Sequence, residues 1–212
     1  LRSNKKVVLV AVTQDGRALE YVSNTLKNDK EVVLTAVTSC GWARQYAAIE
    51  LRNDRDIIIA AMKNNTINLM DAPYAMWNDK EIVLIAVSNW GNQLQFINEL
   101  RNDKEVVLAA VRSIGLALKY ASYELRSDPE VVLAAVRQVG YALQYAAIEL
   151  KNDKEIVLVA VTQAGEALEY ASDELRNNKE VVLAAVTQNR ESLKYASDEL
   201  QNDTDVLVIV NA

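Results

Sequence analysis

Short apolar runs recur along the chain inside the same polar frame. VVLAAV stands at 106–111, 131–136 and 181–186, IVLVAV at 156–161, and close variants precede them. Divided at each recurring Leu-Arg or Leu-Lys, the chain falls into units 1–25, 26–50, 51–75, 76–99, 100–124, 125–149, 150–174 and 175–199, with a truncated ninth over 200–212. The step is 25 residues except in the unit opening at Met76, which is one residue short. A fixed period of this length belongs to stacked-repeat architectures, because one such unit cannot bury its own apolar face and needs neighbours on both sides.

Each unit predicts two short helices. Asn or Asp precedes every apolar run, at Asn4, Asp29, Asp54, Asp79, Asp103, Asp128, Asp153, Asn178 and Asp203. These side chains accept hydrogen bonds from the unpaired amides of a first helical turn, so they read as N-caps. Pro129 follows Asp128 at the one helical position where a missing N–H costs nothing. Glu31, Glu105 and Glu155, two residues past their caps, suit the positive end of the helix dipole. All six glycines, Gly16, Gly41, Gly91, Gly115, Gly140 and Gly165, follow the first helix, where a residue free to take positive φ would end it and open a turn. Thr66 and Arg190 stand there in the third and eighth units and predict a differently built turn. The first helix, apolar all round, should be covered on nearly every side. The second, as in EALEYASDEL with Leu168, Ala171 and Leu175 at i, i+3 and i+7, reads as amphipathic. Alanines at 109, 110, 134, 135, 184 and 185 allow close helix approach. The expected fold is all-α: a single right-handed α-solenoid over 1–212, built from tandem two-helix hairpins and like tetratricopeptide or HEAT arrays in general architecture.

The paired pattern NDKEVVLAAVTQxG and ALEYASDEL resembles the repeats catalogued as domain of unknown function 4116. The likeness spans essentially the whole chain, and the third unit departs from it. It implies a tandem repeat module and supplies no activity, cofactor or site residue.

Composition narrows the chemistry. Half the residues are hydrophobic and a quarter charged, with a net charge of −6. That balance argues against nucleic acid, whose affinity comes from clustered Lys and Arg. Histidine is absent, which removes the commonest general base and metal ligand. Cys40, the only cysteine, has no internal disulfide partner, and no run is long enough for a membrane span or signal peptide. An intracellular, cytoplasmic setting follows as the expectation. Cys40 occupies a freely varying position, and Asp173 with Glu174, like Asp198 with Glu199, recurs at repeat spacing as solvated charge. No catalytic, cofactor or metal residue is assigned, and the chain is expected not to be an enzyme.

Comparison of the copies separates constant from drifting positions. Tyr21, Tyr46, Phe96, Tyr120, Tyr145, Tyr170 and Tyr195 recur and read as packing residues. Lys63, Arg112 and Arg137 close the first helix where other units have Thr or Ser, and complement its dipole. Around the turn and along the second helix, polar residues near the ends give way to apolar ones in the middle. Spaced along one helix, these should form an outward stripe, and an exposed apolar row marks an interaction surface. The candidate partner-binding residues are Trp42, Ile49, Trp77, Trp90, Ile114, Leu116, Tyr123, Val139, Tyr141 and Ile148. In the third unit Pro73 falls inside the second helix, Asp71 replaces the aromatic, and Met76-Trp77 replaces Leu-Arg, so a seam is expected there.

The leading expectation is a non-enzymatic scaffold for a protein partner, with no nucleic acid or membrane involved. Two other readings stand beside it. One is self-assembly with further copies, since the chain starts inside a unit without Met and ends at VLVIVNA without a polar cap. The other is a targeting arm of a larger multidomain protein.

Overall fold

A computed structural model describes residues 1–211, and every regular element among them is helical. The chain forms two compact units, Leu1–Asn89 and a second beginning at Trp90, the division falling within the fourth repeat. The first holds α1 (Lys5–Gln14), α2 (Lys30–Ser39), α3 (Arg55–Lys63) and α4 (Lys80–Asn89). The second holds α5 (Lys104–Ser113), α6 (Pro129–Gln138), α7 (Lys154–Gln163), α8 (Lys179–Gln188) and α9 (Thr204–Asn211). Within each unit successive α-helices pack side by side, as do the short 3-10 segments that follow them. The protein is thus an all-α tandem repeat.

The helix starts are as the sequence predicts. Asp29 accepts the amides of Glu31 and Val32 at 3.1 and 3.2 Å, and Asp153 accepts those of Glu155 and Ile156 at 2.9 and 3.1 Å. In α2 and in α4 to α8 four branched or small side chains per helix are then buried, such as Ile156, Val157, Ala160 and Val161 of α7. Leu158 and Val159 on the same helix stay half-exposed, so the first helix is covered on one broad side and not all round.

The second helix is not continuous. After α7 the chain makes a 3-10 helix over Gly165–Tyr170, extends through Ala171 and Ser172, and closes with one α-turn over Asp173–Arg176. Two hydrogen bonds break it. The Ser172 hydroxyl accepts the Leu175 amide at 3.2 Å, a local cap that competes with helix continuation. The Ser172 amide donates to the Lys151 carbonyl at 2.9 Å, tying this turn to the corresponding turn one repeat earlier. Leu168, Ala171 and Leu175 are buried all the same, but they line a broken path and not one helical face.

No glycine has positive φ. Gly140 opens a 3-10 helix, and a Cβ there would sit 2.4 Å from the carbonyl oxygen of Ala160 on the next α-helix; at Gly16 the distance to Ala36 O is 2.1 Å. What the position requires is the absence of a side chain at a backbone-to-backbone contact between repeats. The glycine amide is used in the same contact: Gly115 donates to Oε1 of Gln138 at 3.0 Å, and Gly165 to Oε1 of Gln188 at 2.6 Å. Where Thr66 replaces glycine, α3 ends early and Asn65 takes φ 54°, the one positive φ among the described residues. The Thr66 hydroxyl then donates to Ala61 O at 2.9 Å.

A ladder of ion pairs runs along the helix starts. Lys5 reaches Asp29 and Glu31 at 2.7 and 2.8 Å, Arg55 reaches Asp79 and Glu81 at 2.6 and 2.7 Å, and Lys104 reaches Asp128 and Glu130 at 2.8 Å each. Each rung joins the first residue of one α-helix to the cap of the next. Pro129 removes the cation from the rung that would follow Lys104. Single exposed pairs contribute little, so the ladder acts chiefly by setting register between repeats.

Two tests follow from these contacts. Gly140→Ala is expected to destabilise the protein by about 1–3 kcal/mol in urea unfolding, because the methyl group overpacks a backbone contact. A glycine serving only a turn at negative φ would give the opposite sign, with alanine stabilising by about 0.4–1 kcal/mol through the unfolded chain. The second test uses pH. Arg55 holds the Asp79 carboxyl below its ordinary value of 3.8. The stability this supplies is present above that value and lost as pH falls through the lower folded value. Arg55→Met should raise the Asp79 pKa in a carboxyl NMR titration; an unchanged titration means the rung is not formed.

Candidate functional site

Apart from Val7 and Val10 of α1 and Val208 of α9, the large exposed apolar side chains inside the array stand on the short segments and turns, not on the α-helices. In the first unit Trp42 lies on the 3-10 helix Gly41–Tyr46 and Ile49 opens the single turn Ile49–Arg52; they are 62% and 69% exposed. Ile49 also lines a shallow depression with Asn24, Lys27, Gln45, Tyr46 and Arg52. The two residues belong to separate segments, so the expected single-helix stripe is replaced by two short displays either side of an extended joint.

That joint explains Pro73. The residue at the joint has φ near −60° in several other copies, −62° at Ser23, −58° at Ala48 and −61° at Ser172, which is the value a proline ring imposes. Pro73, at φ −53°, therefore interrupts no helix. Its cost is a missing donor: Ala48 and Ser172 give their amides to the carbonyls of Lys27 and Lys151, and Pro73 has none to give to Arg52. Arg44, standing where other repeats bury a leucine such as Leu143 or Leu168, supplies it. Its Nε donates to Arg52 O at 2.8 Å and its Nη2 to Asp71 O at 3.1 Å. Partial burial lowers the Arg44 pKa without threatening its charge. Beyond the joint the Trp77 ring packs on Tyr74, centroids 5.1 Å apart, and its indole N–H donates to Ala72 O at 3.2 Å. Trp77 is thereby half-buried, whereas Met70 and Tyr74, which sequence reasoning passed over, are exposed.

In the second unit Tyr123 and Ile148 are exposed at 57% and 75%, and Leu116 at 37%. The corresponding positions in the seventh and eighth repeats are Glu166, Asp173, Glu191 and Asp198. Trp90, Ile114 and Val139 each precede a glycine and are half-buried. Val139 lies against the preceding repeat, its Cγ1 2.7 Å from where a Gly115 Cβ would be. Tyr141 is also half-buried, its hydroxyl donating to Glu166 at 2.5 Å; that carboxylate and partial burial push the phenol pKa up to about 12. Of the ten candidate residues, Trp42, Ile49, Leu116, Tyr123 and Ile148 point into solvent, and the other five are partly occupied within the chain. The recurring tyrosines sit half-buried at the rim, Tyr120 under the Lys119 ammonium at 4.6 Å and Tyr195 under Lys194 at 4.9 Å. Tyr21 is exposed.

Among the described residues no cluster of three or more His, Cys, Asp or Glu is placed to hold a metal, and no helix is long and apolar enough to cross a membrane. Cys40 is half-buried beside Gly16. Asp173, Glu174, Asp198 and Glu199 are exposed in the first turns of their short helices.

The architecture defines a tandem α-helical repeat protein. Its repeats are those of the family described as Domain of unknown function (DUF4116), whose model matches residues 4–48, 29–77, 79–126, 128–176, 153–201 and 178–209, and the chain belongs to that family. Comparison with curated proteins and with solved structures finds no match.

The Arg44–Pro73 pairing makes a double-mutant test. Arg44→Leu restores the leucine of other repeats but strips the Arg52 and Asp71 carbonyls of their guanidinium donor, at an expected cost of about 0.5–1.5 kcal/mol for each lost bond. Adding Pro73→Ser returns a backbone donor for Arg52 O and should recover much of the loss in urea unfolding. Strictly additive effects would show the two positions to be independent.

Proposed function

We propose that this chain is a non-enzymatic repeat scaffold that binds another protein through the apolar side chains displayed by its 3-10 and one-turn segments. The supporting observation is the exposure of Trp42 and Ile49 in the first unit, and of Tyr123 and Ile148 in the second, on positions that carry acids in the seventh and eighth repeats. The same backbone therefore tolerates charge at these sites, and folding does not require the apolar residues. Large side chains left in water by a fold that does not need them gain most of their free energy by burial against a partner. Trp and Tyr are also the usual anchors of interfaces, losing little rotamer freedom for the area they cover. We place the scaffold in a reducing compartment, consistent with one unpaired cysteine.

The test compares wild type with Trp42→Ser, Tyr123→Ser and Ile148→Ser combined. Affinity capture with quantitative mass spectrometry should show a partner set lost from the variant by about 30-fold or more, the loss expected from removing one hot-spot anchor of about 2 kcal/mol. Far-ultraviolet circular dichroism should stay unchanged. Identical partner sets from the two proteins would refute the assignment of these side chains.

A further inference from the structure

A second surface lies on the α-helices of the second unit. Between α5 and α6 a depression of about 460 Å³ is lined by Arg112, Glu130, Leu133, Ala134, Arg137 and Gln138. Its apolar floor is Leu133 and Ala134, both half-buried. Arg112 and Arg137 are exposed in the last turns of adjacent helices, and neither has an acidic partner among the described residues. The one carboxylate in the lining, Glu130, is already paired with Lys104 at 2.8 Å. Gln138 spends its side-chain oxygen on the Gly115 amide, which leaves its NH2 group as a further donor.

The arginines are not required to finish their helices. Repeats seven and eight carry Thr162 and Thr187 at this position, and α7 and α8 end with the same bond, from Ala164 N to Ala160 O and from Asn189 N to Ala185 O. Two free guanidinium groups over an apolar floor, with the local acid neutralised, form a cationic site on a chain of net charge −6.

We propose that this groove binds an acidic peptide segment of a partner protein, two carboxylates pairing with Arg112 and Arg137 while an aliphatic side chain rests on Leu133 and Ala134. Guanidinium groups match carboxylates bidentately, and the floor rewards an apolar neighbour. Two cations are too few to hold a nucleic-acid backbone, which needs many neutralised phosphates. The site is separate from the apolar display of the short segments, so either can fail without the other.

The test is fluorescence anisotropy of the full chain with a short labelled peptide of alternating Glu and Leu. Binding is expected, weakening as salt rises. Arg112→Thr with Arg137→Thr, the residue the same fold uses two repeats on, should reduce affinity by about 100-fold, and a Gln-for-Glu peptide should lose a comparable factor. Thr162→Arg should extend the row and tighten binding. The proposal is overturned if the wild-type chain does not bind the probe, if the double variant or the Gln peptide binds equally well, or if an oligothymidylate of equal charge binds more tightly. Unchanged urea unfolding of the double variant excludes a folding defect.

Discussion

Backbone approach between successive repeats sets the rest of the structure. At Gly16, Gly91, Gly115, Gly140 and Gly165, each opening a 3-10 helix, the main chain comes so near a carbonyl of the following α-helix that a β-carbon would fall 2.1 to 2.6 Å from its oxygen. That contact fixes the spacing of neighbouring copies, and other features adjust to it. Ala36 and Ala160 are small and buried where their carbonyls are approached. Gln138 and Gln188 reach back to satisfy glycine amides that would otherwise be buried without a partner. The ion-pair ladder and the bonds between successive short turns repeat the same register at the other end of each copy.

The third repeat shows how the constraint bends without breaking. Thr66 cannot make the glycine approach, so α3 stops a residue early and Asn65 absorbs the turn with positive φ. Pro73 removes one donor from the tie between short turns, and a guanidinium in the previous repeat replaces it. A charged side chain at a core leucine position looks like an error when read alone. Beside the missing proline amide it is a compensation, because its guanidinium bonds the carbonyl that the proline leaves without a backbone donor.

This division of labour leaves two kinds of surface. The short segments, broken by serine caps and extended joints, lift large side chains into solvent because too little helix remains to fold them down. The helices α5 and α6 bury four residues each and leave a half-exposed strip of Leu and Ala, which arginine crosses.

Much of this was legible in the chain. The period, the all-α class and the nine Asn or Asp caps rest on interactions within a few residues, which local sequence encodes directly. The positions of the glycines were equally plain, but their reason was not, because the atom each would strike belongs to the next repeat, at Gly16 the Ala36 carbonyl and at Gly140 that of Ala160. The same distance hid the Arg44–Pro73 compensation and made a continuous second helix look reasonable, since the bond that splits it joins Ser172 to Lys151. Drifting apolar positions announced a surface, yet only packing could sort Ile148, which stands in water, from Val139, which lies against its neighbour. Local rules determine where each helix begins; which side chains remain free depends on what the next copy already covers.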